Sequence, residues 1–507
     1  MEISNQRLYI IVFLTGAIVM ILELVGSRIL APTLGTSIYV WTSLIGIILG
    51  AMSLGYYLGG RLADKDPNTR TFSNLILLSG IFVFIIIIIK KPILDLSVVL
   101  GLRNAAIFSA ISLFAVPGVL LGAVSPYSVR LAMKKIETSG NTVGNLYAVS
   151  TFGSIAGTFS AGFYFIPNFG SINILYGLAI ALFLISLLAN SRKSRAVLTL
   201  LFMFIFLGSS VLASAFEGRN YLVDEDSAYN HIRVYDTKDF EKKVVRIMAV
   251  ENFFDSGMYL SSDDLVFGYT KFFRLGDFFN KDIRKAAIFG GAAYSIPKDF
   301  VLRHKEASID VVEIDPKTTE IAKEFFNLNT EDPRINIFHQ DARVFLNERS
   351  IKAGDKYDVI YNDAFGSTCT VPFQLTTRES IEEVYELLND DGIYVMNVIS
   401  AISGEKSDFF KSEYKTIKER FKNVYVFPVT FYAEVNSGEN QNIIVIATKK
   451  EFDIYKMLKD NPEGEMSEML SHYWKYDIAT DGAIVLTDDF APVDYFTSKI
   501  CNTVNQS

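Results

Sequence analysis

The stretch from Lys285 to Pro316, KAAIFGGAAYSIPKDFVLRHKEASIDVVEIDP, decides the fold of the second half of this chain. A short apolar run at 286–289 breaks into the small-residue turn Gly290-Gly291-Ala292-Ala293-Tyr294-Ser295. A helical interval follows, and then a second apolar run at 308–314 that closes on Glu313 and Asp315. Strand, small-residue turn, helix and strand in about 30 residues describe a βαβ unit, whose parallel strands need a crossover of that length. Glycine at the turn lets a ligand approach the main chain. An acid about 20 residues beyond it suits a grip on the hydroxyls of a ribose. Gly290, Gly291 and Glu313 therefore form a candidate nucleoside site.

Outward from this unit the pattern repeats. Further strand-like runs fall at 335–338, 357–361, 392–398, 424–429 and 442–447, with helical intervals between most of them. The expectation is a doubly wound, mostly parallel sheet. Upstream, 221–269 predicts β-hairpins, with apolar alternation in HIRVYD and VVRIMAV; downstream, 465–476 predicts a helix. The third strand runs into His339-Gln340-Asp341-Ala342-Arg343 and the fourth into Tyr361-Asn362-Asp363-Ala364-Phe365-Gly366-Ser367. Ligands of such sheets bind beyond the carboxyl ends of the strands. Carboxylates at three successive strand ends thus mark a site, with loop capping by aspartate as the alternative. No G-x-x-x-x-G-K pattern and no G-x-S-x-G elbow is present, which argues against P-loop and hydrolase chemistry. With Cys369 and Cys501 the only cysteines, neither a disulfide framework nor a cysteine zinc site is expected.

The first half has a different composition. Up to Phe216 there are 14 Lys and Arg against 6 Asp and Glu, and beyond it 34 against 50, so an apolar cationic block precedes an anionic one. The net charge of −8 excludes a nucleic-acid binder held by bulk electrostatics. Seven stretches approach the ~20 apolar residues that cross a bilayer: 8–25, 38–60, 72–89, 105–124, 143–166, 172–189 and 196–215. Loop charge favours a cytoplasmic amino terminus, with ten Lys and Arg on that side against five on the other. Seven spans would then place the carboxyl-terminal domain outside the cell. Small residues four apart, Gly46 and Gly50, Gly55 and Gly59, and Gly153, Gly157 and Ala161, predict close helix packing. Glu23 and Arg28 are costly within a span, and either they pair or Arg28 sits at the interface.

The motifs GGAAYSIPKDF, VVEIDP, HQDARVFL, YDVIYNDAFGS, VPFQLTT and LTDDFAPVD together resemble those of the spermidine synthase (polyamine aminopropyltransferase) family. SAYNHIRVYD resembles its entry hairpin. ELVGSRILAPTLGTSIYVWTS and LYAVSTFGSIAGTF resemble the multi-pass region fused to such domains in prokaryotes. The resemblance implies three domains: a membrane domain over 1–216, a β-rich entry subdomain over 217–284, and a class I methyltransferase-like (Rossmann-like) α/β domain over 285–507. It implies that Gly290 and Gly291 line an adenosyl ligand, that Glu313 holds its ribose and that Asp341 meets its adenine. Asp363 would be the general base, and Tyr229, Asn230 and Tyr269 would face the amine acceptor. Asn230 stands where the family keeps glutamine, Thr270 where it keeps histidine and Gly366 where it keeps a second aspartate, which puts the usual acceptor in question more than the donor.

The implied reaction moves an aminopropyl group from decarboxylated S-adenosylmethionine to an amine or polyamine, in a membrane-embedded protein that admits a homo-oligomer and needs neither metal nor nucleic acid. S-adenosylmethionine or methylthioadenosine are alternative ligands. Methyl transfer, or a non-catalytic polyamine or nucleoside sensor or transporter, are the alternative functions.

Overall fold

The computed structural model describes residues 3–133, 139–190, 221–251, 253–351, 356–364, 371–430 and 437–501. Its contacts divide the chain into two units, Met1–Asn220 with Glu225–Asn230, and Tyr221–Asp224 with His231–Ser507. The expected span at 196–215 lies outside the described residues.

In the first unit, six helices are long and apolar enough to cross a membrane among the described residues. These are α1 (Asn5–Leu34), α2 (Ile38–Lys65), α3 (Thr69–Ser97), α4 (Leu102–Ala132), α5 (Ser139–Ser160) and α6 (Ser171–Ala189). A helix satisfies its main-chain polar groups internally, which is what an apolar surrounding demands. Its ends need other partners: the Asn68 side chain caps α3 by accepting from the N–H groups of Arg70 at 2.9 Å and Thr71 at 2.8 Å. The small-residue spacing works where helices cross. A side chain at Gly59 would meet Cα of Ala123 on α4 at 2.6 Å, and Gly55 abuts the Val119 carbonyl. Gly153 and Gly157 press on the carbonyls of Phe13 and Ala17 of α1, whereas Gly46 and Gly50 face open space. Beyond α5 the helix continues through a π-helical turn, Ala161–Phe165.

The second unit holds a seven-stranded sheet of β5 (Lys285–Phe289), β6 (Ser308–Val312), β7 (Ile335–Phe338), β8 (Tyr357–Asn362), β9 (Leu388–Ser400), β10 (Asn423–Pro428) and β11 (Gln441–Thr448). Their order is β10-β11-β9-β8-β5-β6-β7. The five strands from β9 to β7 are parallel, and β11 alone of the seven runs against them, antiparallel to β9 on one side and β10 on the other. This is the Rossmann-like α/β architecture expected of the sequence. Both faces are covered, as the near-continuous apolar runs require: Ala286 and Ile288 of β5 enter one core, Ala287 and Phe289 the other. A smaller sheet, β1 (Val223–Asp226), β2 (His231–Lys238), β3 (Val244–Val250) and β4 (Phe253–Tyr259), precedes it, with β2–β3 and β3–β4 antiparallel. The hairpin region therefore ends at Tyr259, and Tyr269 lies instead in the short helix Gly268–Phe272. The helix expected at 465–476 stops at Ser471, because the Trp474 N–H pairs with the Val426 carbonyl of β10 at 2.8 Å.

Candidate functional site

The strand order reverses at β5, which has β6 on one side and β8 on the other, so a crevice opens beyond the carboxyl ends of these strands. Main-chain bonds lace the three ends together: the Gly290 N–H donates to the Val312 carbonyl at 2.9 Å, and the Asp363 N–H donates to the Phe289 carbonyl at 3.0 Å. Gly290 has φ +94°, and a Cβ there would lie 2.5 Å from the Asp363 carbonyl oxygen, so no other residue fits. Ala292 and Tyr294 also take positive φ, +44° and +57°, so the turn before the helix Ser295–Arg303 is strained as well as small.

Glu313 is what holds that turn. Its Oε2 accepts from the N–H groups of Gly291 at 2.8 Å and Ala292 at 3.2 Å, and its Oε1 accepts from Asp315 at 2.9 Å. The side chain is buried. Burial pushes its carboxyl up, and the three amide donors pull it back. Glu313 thereby ties the end of β6 to the glycine turn after β5.

Asp341 does two things. Its Oδ1 accepts from the Arg343 N–H at 2.7 Å at the start of the helix Ala342–Ile351, which is the capping role weighed from sequence. Its Oδ2 accepts from Gln374 Nε2 at 3.1 Å. Behind it, Arg343 grips Asp488 of the tail with NH1 at 3.0 Å and NH2 at 2.8 Å, and donates to the Gln374 carbonyl at 2.9 Å. Thr377 donates to the same Asp488 carboxylate at 2.6 Å. The tail motif LTDDFAPVD is thus built into the rim of the crevice.

Asp363 closes the set at the end of β8. Its Oδ1 accepts from Asn397 Nδ2 at 3.0 Å and its Oδ2 from the Tyr269 hydroxyl at 3.3 Å. Burial raises this carboxyl to about 6, with both donors opposing the rise. A group that titrates near neutrality is suited to take up a proton.

The structure therefore brings Gly290, Gly291, Glu313, Asp363 and Tyr269 to one crevice, with Asp341 at the end of the outermost parallel strand. Tyr229 and Asn230 sit in the turn between β1 and β2, where their N–H groups donate to Ser227 Oγ at 3.0 and 2.8 Å, and they group with the first unit. The Tyr229 side chain is exposed. Thr270 is buried, its hydroxyl spent on the Phe267 carbonyl at 2.7 Å, and Gly366 lies outside the described residues. Asn397 and Gln374 are not apparent from sequence. Their signal is only that each is an amide residue in or near a strand-end segment, and an amide is an ordinary residue there. Among the described residues no cluster of His, Cys, Asp and Glu is arranged to hold a metal ion.

Residues 271–456 match the model of the spermine/spermidine synthase domain. The chain is 29% identical over 221 residues to a polyamine aminopropyltransferase of Vibrio vulnificus, covering 42% of this chain and 69% of that one. It is 26% identical over 322 residues to a probable polyamine aminopropyl transferase of Bifidobacterium longum, covering 60% of this chain and 69% of that one. Among solved structures, a probable spermidine synthase from Corynebacterium glutamicum aligns with a TM-score of 0.44 at 20% identity, over 54% of this chain and 97% of that one.

Proposed function

We propose that this chain, whose residues 271–456 belong to the spermine/spermidine synthase family, is a membrane-anchored aminopropyltransferase. Its domain would take decarboxylated S-adenosylmethionine as donor and an amine as acceptor. Gly290 and Gly291 give the adenosyl group access to the main chain, Glu313 accepts from the ribose hydroxyls, and Asp341 accepts from the adenine amine. Tyr269 faces the acceptor.

In the step itself, the acceptor nitrogen attacks the aminopropyl carbon bonded to the sulfonium. A C–N bond forms, the C–S bond breaks, and its electron pair leaves with neutral methylthioadenosine. The nitrogen then carries one proton too many, and Asp363 receives it. An acceptor that arrives as an ammonium ion has no lone pair, so the same carboxylate serves by taking its proton beforehand, and the product then leaves as the ammonium ion. No metal is required, because the leaving group is already cationic. The anionic crevice favours a cationic donor and acceptor over neutral competitors.

The observation that carries this reading is Asp363 at about 6, held by Asn397 and Tyr269 beside the Gly290 turn. It is tested with the purified full chain in detergent, given decarboxylated S-adenosylmethionine and a panel of mono-, di- and triamines. Methylthioadenosine release matched by a product heavier by one aminopropyl group is expected. Methylthioadenosine binding without turnover on any amine would refute the transferase and leave a nucleoside-binding sensor. The apolar helices would anchor the enzyme in the cell membrane, with the amino terminus cytoplasmic and, for seven spans, the domain outward.

A further inference from the structure

Glu23 is a carboxylate inside the most buried part of an apolar helix, and nothing in the transfer reaction uses it. At ~1.5 Å per residue it lies roughly 5 Å past the midpoint of α1, well within a hydrocarbon layer ~30 Å thick. It is partly buried, and among the described residues no hydrogen bond or ion pair engages it. Arg28, the nearest cation on the same helix, is directed to the carbonyls of Ala228 and Tyr229. An ionisable side chain retained at such depth marks a ligand or ion path.

Acceptor oxygens lie about 10 Å from it along the same helix. Seven residues before it, and so within ~20° of the same helix face, Gly16 abuts the Ser150 main chain and its carbonyl accepts from Ser154 Oγ at 3.2 Å. Gly153 meets Phe13 and Gly157 meets Ala17, so α1 and α5 advance in step and in parallel. Continuing that register by one turn sets Ile21, two residues before Glu23, against Ala161, which is fully buried and begins the π-helical turn Ala161–Phe165 packed on α1. A π turn replaces i+4 bonds by i+5 bonds and leaves a carbonyl short of its usual donor; such turns recur at functional sites. The seam thus carries one negative charge, with hydroxyl and carbonyl oxygens elsewhere along its length.

We propose that this α1–α5 seam is a cation site and that Glu23 binds the ammonium group of an amine within the membrane unit. A single carboxylate balances one positive charge and accepts from one ammonium N–H, whose other two donors suit carbonyl and hydroxyl oxygens of the seam. A divalent cation needs about six oxygens and more than one carboxylate. The choice of an amine over another monovalent cation rests on the transferase reading; the site itself does not.

The full chain reconstituted in phosphatidylcholine vesicles tests the proposal by counterflow of radiolabelled 1,4-diaminobutane. Wild type is expected to exchange the label, Glu23→Gln to lose at least tenfold, and Glu23→Asp to retain most of it. Asp363→Asn is expected to exchange like wild type while losing aminopropyl transfer, which separates the two readings. Absence of exchange by wild type, or exchange by Glu23→Gln at the wild-type rate, overturns the proposal. Glu23-dependent flux of labelled sodium or protons with no amine flux overturns the amine assignment. Transfer failing in wild type while Glu23-dependent counterflow persists overturns the function proposed above and upholds this site.

Discussion

Replacing Asp363 by asparagine should leave the fold intact, or firmer, while removing the chemistry. The carboxylate accepts from Asn397 at 3.0 Å and from Tyr269 at 3.3 Å. In the variant, the amide oxygen can keep the Asn397 bond, and the amide N–H2 meets a hydroxyl that can turn to accept, so at most about one hydrogen bond, ~1 kcal/mol, is lost. Against this stands the cost of the buried charge. A carboxyl raised from 3.8 to about 6 is easier to ionise in the unfolded chain than in the folded one. Stability is therefore greatest below pH 4 and is lost as the pH climbs through 6, by about 3 kcal/mol in total. Asp363→Asn removes that loss, so its melting temperature should exceed that of wild type at pH 8 and fall level with it or below at pH 4. Catalysis should move the other way: a general base contributes ~100- to 10,000-fold, ~3 to 5 kcal/mol of barrier. Turnover in wild type should rise with pH through about 6 and level off, and the residual activity of the variant should lack that step. Turnover, donor affinity and melting temperature are measured on the same purified full chain. A variant that melts lower at pH 8 and turns over like wild type would show that Asp363 only caps the loop after β8, and the assignment would fall.

Glu313→Ala should weaken methylthioadenosine binding by ~1.5 to 3 kcal/mol, the range for hydrogen bonds to a charged group, and calorimetry on the full chain reads this directly; unchanged affinity would refute the ribose role. Arg343→Ala releases Asp488 and the Gln374 carbonyl from the Asp341 helix, so donor affinity should drop about tenfold while turnover at saturating donor holds. Glu413 is fully buried and both of its carboxylate oxygens lack a hydrogen-bond partner among the described residues, which pushes its carboxyl well up. It is bound to cost stability increasingly as the pH rises above 4.5, so Glu413→Leu should raise the melting temperature more at pH 8 than at pH 5. A reporter fused after Ser507 should be active outside the cell; activity on the cytoplasmic side would refute the seven-span reading.

What was legible in the sequence was what depends on local pattern. The run at 357–361 is a strand within one residue of expectation, because a buried parallel strand carries an apolar residue at nearly every position. The Gly290 turn and Glu313 were legible because the spacing between them is that of one βαβ unit, and the structure closes it with the bond from the Gly291 N–H to the Glu313 carboxylate. Asn397 was not legible: it lies 34 residues from Asp363 and reaches it only because β9 is laid beside β8. Gln374 and Asp488 share that difficulty, since their contacts with Asp341 and Arg343 span 33 and 145 residues. Pairing of Glu23 with Arg28 was weighed from proximity along the chain. Five residues on a helix turn through ~140° beyond a full turn, so the two side chains point apart, and Arg28 finds main-chain carbonyls instead.

Three strand-end carboxylates of the same chemical type are set to three tasks by their donors alone. Glu313 faces three main-chain N–H groups of a strained turn, and is fixed in orientation. Asp341 faces a helix amino terminus and an amide, which tie it to the start of its helix and to Gln374. Asp363 has only two side-chain donors, one of them at 3.3 Å, and these do not offset its burial. Its proton is therefore easily exchanged near neutral pH. A crevice that binds a cationic nucleoside with the first two and moves a proton with the third needs no further ionisable group. That is why the carboxylate of Glu23, in the other unit and without a partner among the described residues, calls for a task of its own.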